Sequence, residues 1–285
     1  MANYVVSDTS LGSVADAIRT KGGTSASLTY PQGFIDAIDD IQTGGGDTPI
    51  PADGKTRIFI HIAEGTPDNR LTFYLRFTAS VANNTTVDWG DGTTQTLGST
   101  TATNYSHKYS QCGDYVITMT VNTGTISFEG TAGNNGYSIY GARATSNNNY
   151  HNRSRIQKVI IGENVTTIGA YAFYTCYILE SITISDSVTD IGTYAFQYCY
   201  NFTSITISDS VTSIGAYAFA SCYGMPEYHF KPTTPPTLAN SNAFMSIASD
   251  CIIYVPYSAD HSILDAYKTA TNWSTYASKM QEEPT

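Results

Sequence analysis

The chain has 285 residues, enough to bury a substantial core in two or three domains. Charged residues supply only 13%, while tyrosine reaches 22 against 2 tryptophans, a composition suited to recognition through aromatic contacts and adaptable hydrogen bonds. The net charge of −10 lacks the cationic footprint a polyanion needs, so nucleic acid is not an expected partner, and it weighs against an anionic membrane surface.

Residues 1–46 read as a small helical module. "SDTSLGSVADAIRTKGG" offers Ser, Asp and Thr as N-cap candidates, apolar Leu11, Val14, Ala15 and Ile18 at helical spacing, and a Gly22-Gly23 stop. A second short helix is expected in "PQGFIDAIDDIQTGGG", with Phe34, Ile35, Ile38 and Ile41 apolar. Two such helices bury little alone, so this module is expected to attach to a partner or a neighbouring subunit, and oligomers are compatible with it. The first residues do not pair a basic stretch with an apolar one, so no secretory signal is expected, and synthesis in the cytosol is. No uninterrupted apolar run approaches the ~18 residues of a membrane span, so no insertion is expected. "GGGDTPIPADGK" supplies a linker over 47–55.

Residues 56–128 alternate as strands in "RIFIHIAEG", "LTFYLRFTA", "TTVDWGDGTT" and "NYSHKYSQCGDYVITMTV", with turn signals between them as in a β-sandwich. The segment "VDWGDGTTQTL…YSHKYSQCGDYVITMTV" resembles a PKD-type immunoglobulin-like domain, matching that pattern at Trp89, Gly90, Asp91, Gly92, His107, Tyr109, Gly113, Tyr115 and Val116. Residues 129–155 then read as a junction. Within it "GNNGYSIYGARATSNNNYHNR" (133–153) is rich in Asn and Tyr, and reads either as a contact loop or as a connection.

From residue 156 the chain repeats itself every 23 residues, in "IQKVIIGENVTTIGAYAFYTCYI" (156–178), "LESITISDSVTDIGTYAFQYCYN" (179–201) and "FTSITISDSVTSIGAYAFASCYG" (202–224). A fixed period of this size is a solenoid signature with one strand per coil. The phrase resembles the BspA-like leucine-rich repeat, with the usual Pro replaced by Gly162, Ser185 and Ser208. The pattern points Leu179, Ile182, Ile184, Val188, Ile191, Ala195, Phe196 and Cys199 inward, with their counterparts in the other copies. Gly169, Gly192 and Gly215 are expected where a Cβ would obstruct a tight turn. Residues 225–250 read as a degenerate coil interrupted by "KPTTPPTL". The tail resembles the family's C-terminal cap: a short strand, a helix turning Ile263, Leu264 and Tyr267 inward, then Trp273 and Tyr276 as a seal.

The fold class is therefore a multidomain, β-rich chain: short N-terminal helices, a PKD/Ig-like sandwich, and a leucine-rich-repeat solenoid with a helical cap over 156–285. Candidate chemistry is sparse. Five cysteines form no CxxC pair, and their ladder in the repeat reads as small buried hydrophobes rather than thiolate ligands or disulfides. The turn at Asp88 fails the calcium-loop spacing, so Asp88 and Asp91 are expected to bond their own backbone. Asp186 and Asp209 share a repeated loop, and repetition alone accounts for the pair. The five histidines, at 61, 107, 151, 229 and 261, make no HxxxH or His-x-His pair. No metal, cofactor or catalytic residue is expected.

The remaining signal is aromatic. Tyr171, Tyr194 and Tyr217 form one column in a stretch expected to be helical; Tyr177, Tyr200 and Tyr223 form another after the cysteine. These columns read as edge shielding or as contacts. Between Phe and Cys the copies disagree, with Tyr174-Thr175, Gln197-Tyr198 and Ala220-Ser221, and these positions are expected to be exposed. The candidate receptor contacts are Tyr174, Thr175, Tyr177, Gln197, Tyr198, Tyr200, Ser221 and Tyr223.

The resemblances imply a non-enzymatic recognition or adhesion protein. "SVADAIRTKGGTSASLTYPQGFIDAIDDI" also resembles an N-terminal stretch of phage and prophage tail proteins. The leading expectation is a virion tail-associated receptor-binding protein, docked on a tail or baseplate protein by residues 1–46 and contacting a host cell-surface glycan or protein. The alternatives are a bacterial cell-surface BspA-like adhesin and an accessory binding module of a polysaccharide-degrading enzyme.

Overall fold

The computed structural model describes residues 53–66, 71–130 and 154–284. The helices expected in residues 1–46, most of the linker and the loop at 133–153 lie outside the described residues. One compact unit spans Gly54–Thr285.

Its first seven strands are antiparallel: β1 (Thr56–Ile62), β2 (Thr72–Ala79), β3 (Thr85–Asp88), β4 (Thr94–Leu97), β5 (Thr103–Lys108), β6 (Gly113–Val121) and β7 (Ile126–Phe128). They divide between two sheets, in the orders β4-β3-β6-β1 and β5-β2-β7. In β2 the alternation is regular: Phe73, Leu75, Phe77 and Ala79 are buried, while Thr72, Tyr74, Arg76 and Thr78 are half-buried on the other face. Trp89 is fully buried, stacks on His107 with centroids 4.9 Å apart, and has its carbonyl bonded by the Tyr109 hydroxyl at 2.8 Å.

The repeats follow as coils carrying two strands each. One set, β8 (Ile156–Ile160), β10 (Ser181–Thr183), β12 (Ser204–Ile207), β14 (Glu227–Phe230) and β16 (Ile252–Val255), stacks in parallel, as does β9 (Val165–Ile168), β11 (Asp190–Ile191), β13 (Ser213–Ile214) and β15 (Thr237–Leu238). Registers such as Ile182↔Ile205 and Ile191↔Ile214 keep the 23-residue offset, so identical letters become columns. Every inward position named in the three 23-residue copies is buried. Phe173, Phe196, Phe219 and Phe244 stack at 5.2–5.3 Å with planes within 8°. Phe244 thereby carries the column into the degenerate coil. The glycine column has ordinary φ; its constraint is close approach between coils. A Cβ on Gly192 would lie 2.4 Å from Ala170 N and 2.5 Å from Gly169 C.

The antiparallel strands and the repeats share both sheets. Strand β1 lies antiparallel on β8, with Ile58 opposite Val159, and β7 lies parallel on β9, with Phe128 opposite Ile168. The result is one sheet of ten strands, closed by β17 (Met280–Glu282), and one of seven. The bond from Gly169 N to Phe128 O, 2.7 Å, repeats the coil-to-coil bonds Gly192 N to Ile168 O and Gly215 N to Ile191 O. Strand β7 thus occupies the place of a preceding coil, covering edges that a bare first repeat would expose.

The other end is covered by helix α1 (Ser262–Thr269) and a 3₁₀ helix (Trp273–Lys279). Tyr267, Trp273 and Tyr276 are buried; Ile263 and Leu264 are half-buried against the core. Their polar tips reach backbone carbonyls of the proline-rich segment: Tyr267 OH to Pro232 O at 2.9 Å and Trp273 Nε1 to Pro236 O at 2.7 Å.

Candidate functional site

The third side of each coil, running from the glycine to just past the cysteine, is not helical as the sequence suggests. It is a chain of tight turns. Ala172 N bonds Gly169 O, Tyr174 N bonds Tyr171 O and Cys176 N bonds Phe173 O, each at 3.2 Å. The intervening amides bond the next coil: Tyr171 N to Thr193 O at 2.9 Å, Phe173 N to Ala195 O at 2.7 Å, Thr175 N to Gln197 O at 2.8 Å. An α-helix cannot alternate in this way, because every amide would point along its own axis. The first and last of these turns carry a left-handed residue at the third position: Tyr171, Thr175, Tyr194, Tyr198, Tyr217 and Ser221 have φ of 57–65°. Each such non-glycine residue costs about 1–2 kcal/mol, offset here by the inter-coil ladder.

This turn geometry arranges eight tyrosines into one layer. Tyr171, Tyr194 and Tyr217 stack at 4.9 and 5.1 Å, and Tyr177, Tyr200 and Tyr223 at 6.2 and 5.8 Å. Tyr174 and Tyr198 join the two columns: Tyr171 to Tyr174 is 5.6 Å, Tyr174 to Tyr198 5.7 Å, and Tyr198 to Tyr200 6.0 Å. Each contact of this kind adds about 0.5–1.5 kcal/mol beyond the area it buries. The layer continues at one corner into the degenerate coil, where Asn242 Nδ2 donates to Tyr217 OH at 2.9 Å. Tyr223 is 57% exposed and Tyr200 41%; the other six are half-buried. Burial and the neighbouring Tyr198, Tyr223 and Tyr177 hold the Tyr200 phenol above its usual pKa, so it stays a neutral donor and acceptor.

The sequence expectation of exposure at the drifting positions needs correcting. Thr175, Gln197 and Ser221 are only 9%, 6% and 5% exposed, and Ala220 is fully buried. Two of the three copies set a tyrosine beside a smaller residue, Tyr174 with Thr175 and Tyr198 with Gln197, whereas the third carries two small residues, Ala220 and Ser221. Of the eight candidates, Tyr200 and Tyr223 are exposed and Tyr174, Tyr177 and Tyr198 half-buried in the tyrosine layer, whereas Thr175, Gln197 and Ser221 are buried. Missed was the union of Tyr171, Tyr194 and Tyr217 with the rest; the signal for it was the Tyr174 and Tyr198 pair, one position out of register.

The other chemistry-bearing side chains lie apart from the tyrosine layer. The thiols of Cys199 and Cys222 donate to Phe173 O and Phe196 O at 3.2 and 3.1 Å, and all five cysteines are free. Burial pushes the Cys222 thiol up to about 12. Asp88 accepts from Gly90 N at 2.9 Å, and Asp91 from Thr93 N at 3.1 Å and from His107 at 2.7 Å. Burial raises the Asp91 carboxyl, but its bonds to Thr93 and His107 outweigh this and leave it below the usual range. Asp186 and Asp209 are exposed in their loops. Among the described residues no three His, Cys, Asp or Glu side chains are grouped to hold a metal, and no helix is long and apolar enough to cross a membrane.

A family model, the BspA type leucine rich repeat region, matches residues 144–263 in six copies. Among solved structures, the chain is similar to a leucine-rich repeat protein from Bacteroides ovatus, with 21% identity and a TM-score of 0.31. That match covers 45% of this chain and 30% of the other, so this chain spans under a third of its length. No curated protein matches.

Proposed function

We propose that the chain is a non-enzymatic recognition protein of the bacterial surface-adhesin type, contacting a cell-surface glycan or protein through the tyrosine layer of its repeats. The observation that carries this reading is the layer itself: eight linked rings, two of them well exposed, at the turn side of the stacked coils. BspA-type repeats support a binding role rather than a catalytic one. In this reading the two-sheet region, with its PKD/Ig-like motif, is a rigid spacer that also seals the first repeat, and residues 256–284 cap the last.

A second reading, a virion tail protein docked by residues 1–46, rests on the sequence resemblance of that segment alone. The matched repeat family favours the surface adhesin. Neighbouring genes separate the two: a sortase or secretion locus fits the adhesin, and tail and baseplate genes fit the virion.

The binding face is tested with whole bacterial cells and the full chain. Tyr200→Ala with Tyr223→Ala is expected to lower cell association at least ~tenfold, the scale of a lost hot spot. Thr183→Ala with Thr206→Ala, in the β10 and β12 strands, is expected to leave it unchanged. Equal binding by both variants would remove the tyrosine layer from the account.

A further inference from the structure

The three turn segments Gly169–Ile178, Gly192–Asn201 and Gly215–Gly224 contain no Asp, Glu, Lys, Arg or His, in a chain whose net charge is −10. A face meant for an anionic polymer would carry Lys or Arg, which pair with phosphate or carboxylate. One meant for a basic partner would carry carboxylates. This one offers aromatic rings, phenol hydroxyls and amides: Tyr200 is followed by exposed Asn201, and Asn242 bonds Tyr217.

The same face is periodic. Tyr177, Tyr200 and Tyr223 recur at one per coil, with planes within 15° of their neighbours. Successive coils are separated by about the strand spacing, ~4.8 Å. A surface that repeats one contact at a fixed step is matched best by a ligand that repeats its own unit at a fixed step. A folded protein epitope does not. Because the rings stack on one another, their faces are largely engaged within the layer. Edges along the column and the free side of Tyr223 are left for a partner that is itself apolar on its C–H surface and polar at its rim.

We infer that the tyrosine layer binds an uncharged polysaccharide, laid across successive coils with a C–H surface against the free side of Tyr223 and its hydroxyls against the exposed edge and phenol of Tyr200 and against Asn201. The inference rests on the reading of this layer as the contact surface.

The test uses the full chain in two arms. In the first, whole cells are treated with periodate, which cleaves vicinal diols of sugars, or with protease, which strips surface protein. Binding that is lost after periodate and kept after protease is expected; the converse overturns the saccharide while leaving the tyrosine layer intact as a protein-binding face. In the second, titrations with a β-glucan and an α-mannan are compared with carboxymethyl-glucan and polygalacturonate at low and high salt. Binding to a neutral polymer, insensitive to salt and weakened at least ~tenfold by Tyr200→Ala with Tyr223→Ala, is expected. Tyr223→Phe, which keeps the ring, should retain most of it, and unchanged thermal melting shows that the variants fold. Preference for the anionic polymers, steep salt dependence, or binding to none of the four overturns the inference. Saccharide binding that survives the double substitution overturns the tyrosine face itself.

Discussion

Thr175 was legible as a variable letter and illegible as a buried one. Variation between copies reports that a position tolerates change, not that it is exposed. Burial depends on packing against the next coil, to which the Thr175 amide bonds at Gln197 O, and a single repeat read alone does not contain it. The inward letters were legible for the opposite reason, since stacking forces Phe173, Phe196 and Phe219 into identical surroundings. The glycines follow the same logic. Gly192→Ala places a methyl group 2.4 Å from a backbone nitrogen, which cannot swing away as a side chain does. The variant is expected to lose about 1–3 kcal/mol, read as a lower urea midpoint with unchanged m. The thiols give a second check at this scale. Cys176, Cys199, Cys222 and Cys251 are buried, with burial raising the last three thiols, whereas Cys112 is half-buried. A thiol reagent at pH 8 is expected to modify only Cys112 in the native protein and all five after denaturation. Rapid native labelling of the repeat cysteines would contradict a packed column.

Among the elements, β17 has a hold on the fold that depends on pH. His229, in β14, has Nδ1 2.7 Å from Glu283 just beyond β17 and Nε2 3.2 Å from Glu227, and its ring stacks on Tyr254 of β16. Both ring nitrogens face carboxylates, so the doubly protonated imidazolium fits the site. Burial alone would lower the His229 pKa, but the bonds to Glu283 and Glu227 outweigh it and leave the pKa above 6.5. A raised folded pKa means that this contribution is complete below the unfolded value and is lost as pH rises through the folded one. The melting temperature is therefore expected to fall by a few degrees as pH rises above about 6.5, and His229→Gln should flatten that slope. Equal slopes in both proteins would rule out this role for the His229 bonds to Glu283 and Glu227. The turn stack shows why secondary structure was only partly legible. Apolar letters at Ala172, Phe173 and Cys176 suit a helix, but amide bonds to the next coil compete with bonds inside the segment, and the stack wins.

At the scale of the whole molecule, the sequence marked a sandwich motif and a repeat motif without showing that they share two sheets. The join is made of backbone hydrogen bonds between β1 and β8 and between β7 and β9, and backbone pairing leaves no signature letter. One consequence is that residues 54–284 should unfold in a single transition followed equally by tryptophan fluorescence and far-UV circular dichroism. A chain starting at residue 129 leaves the β8 and β9 edges open and is expected to aggregate. Two separated transitions, or a soluble and folded repeat fragment, would show that the shared sheets do not couple the halves. The central claim is that the tyrosine layer touches the target, and hydroxyl-radical footprinting of the full chain on bacterial cells tests it most directly. Protection is expected within 169–178, 192–201 and 215–224, with Thr72, Tyr74 and Arg76 on the outer side of β2 unchanged. Protection on β2 and β5 with the tyrosine segments unaltered would contradict it.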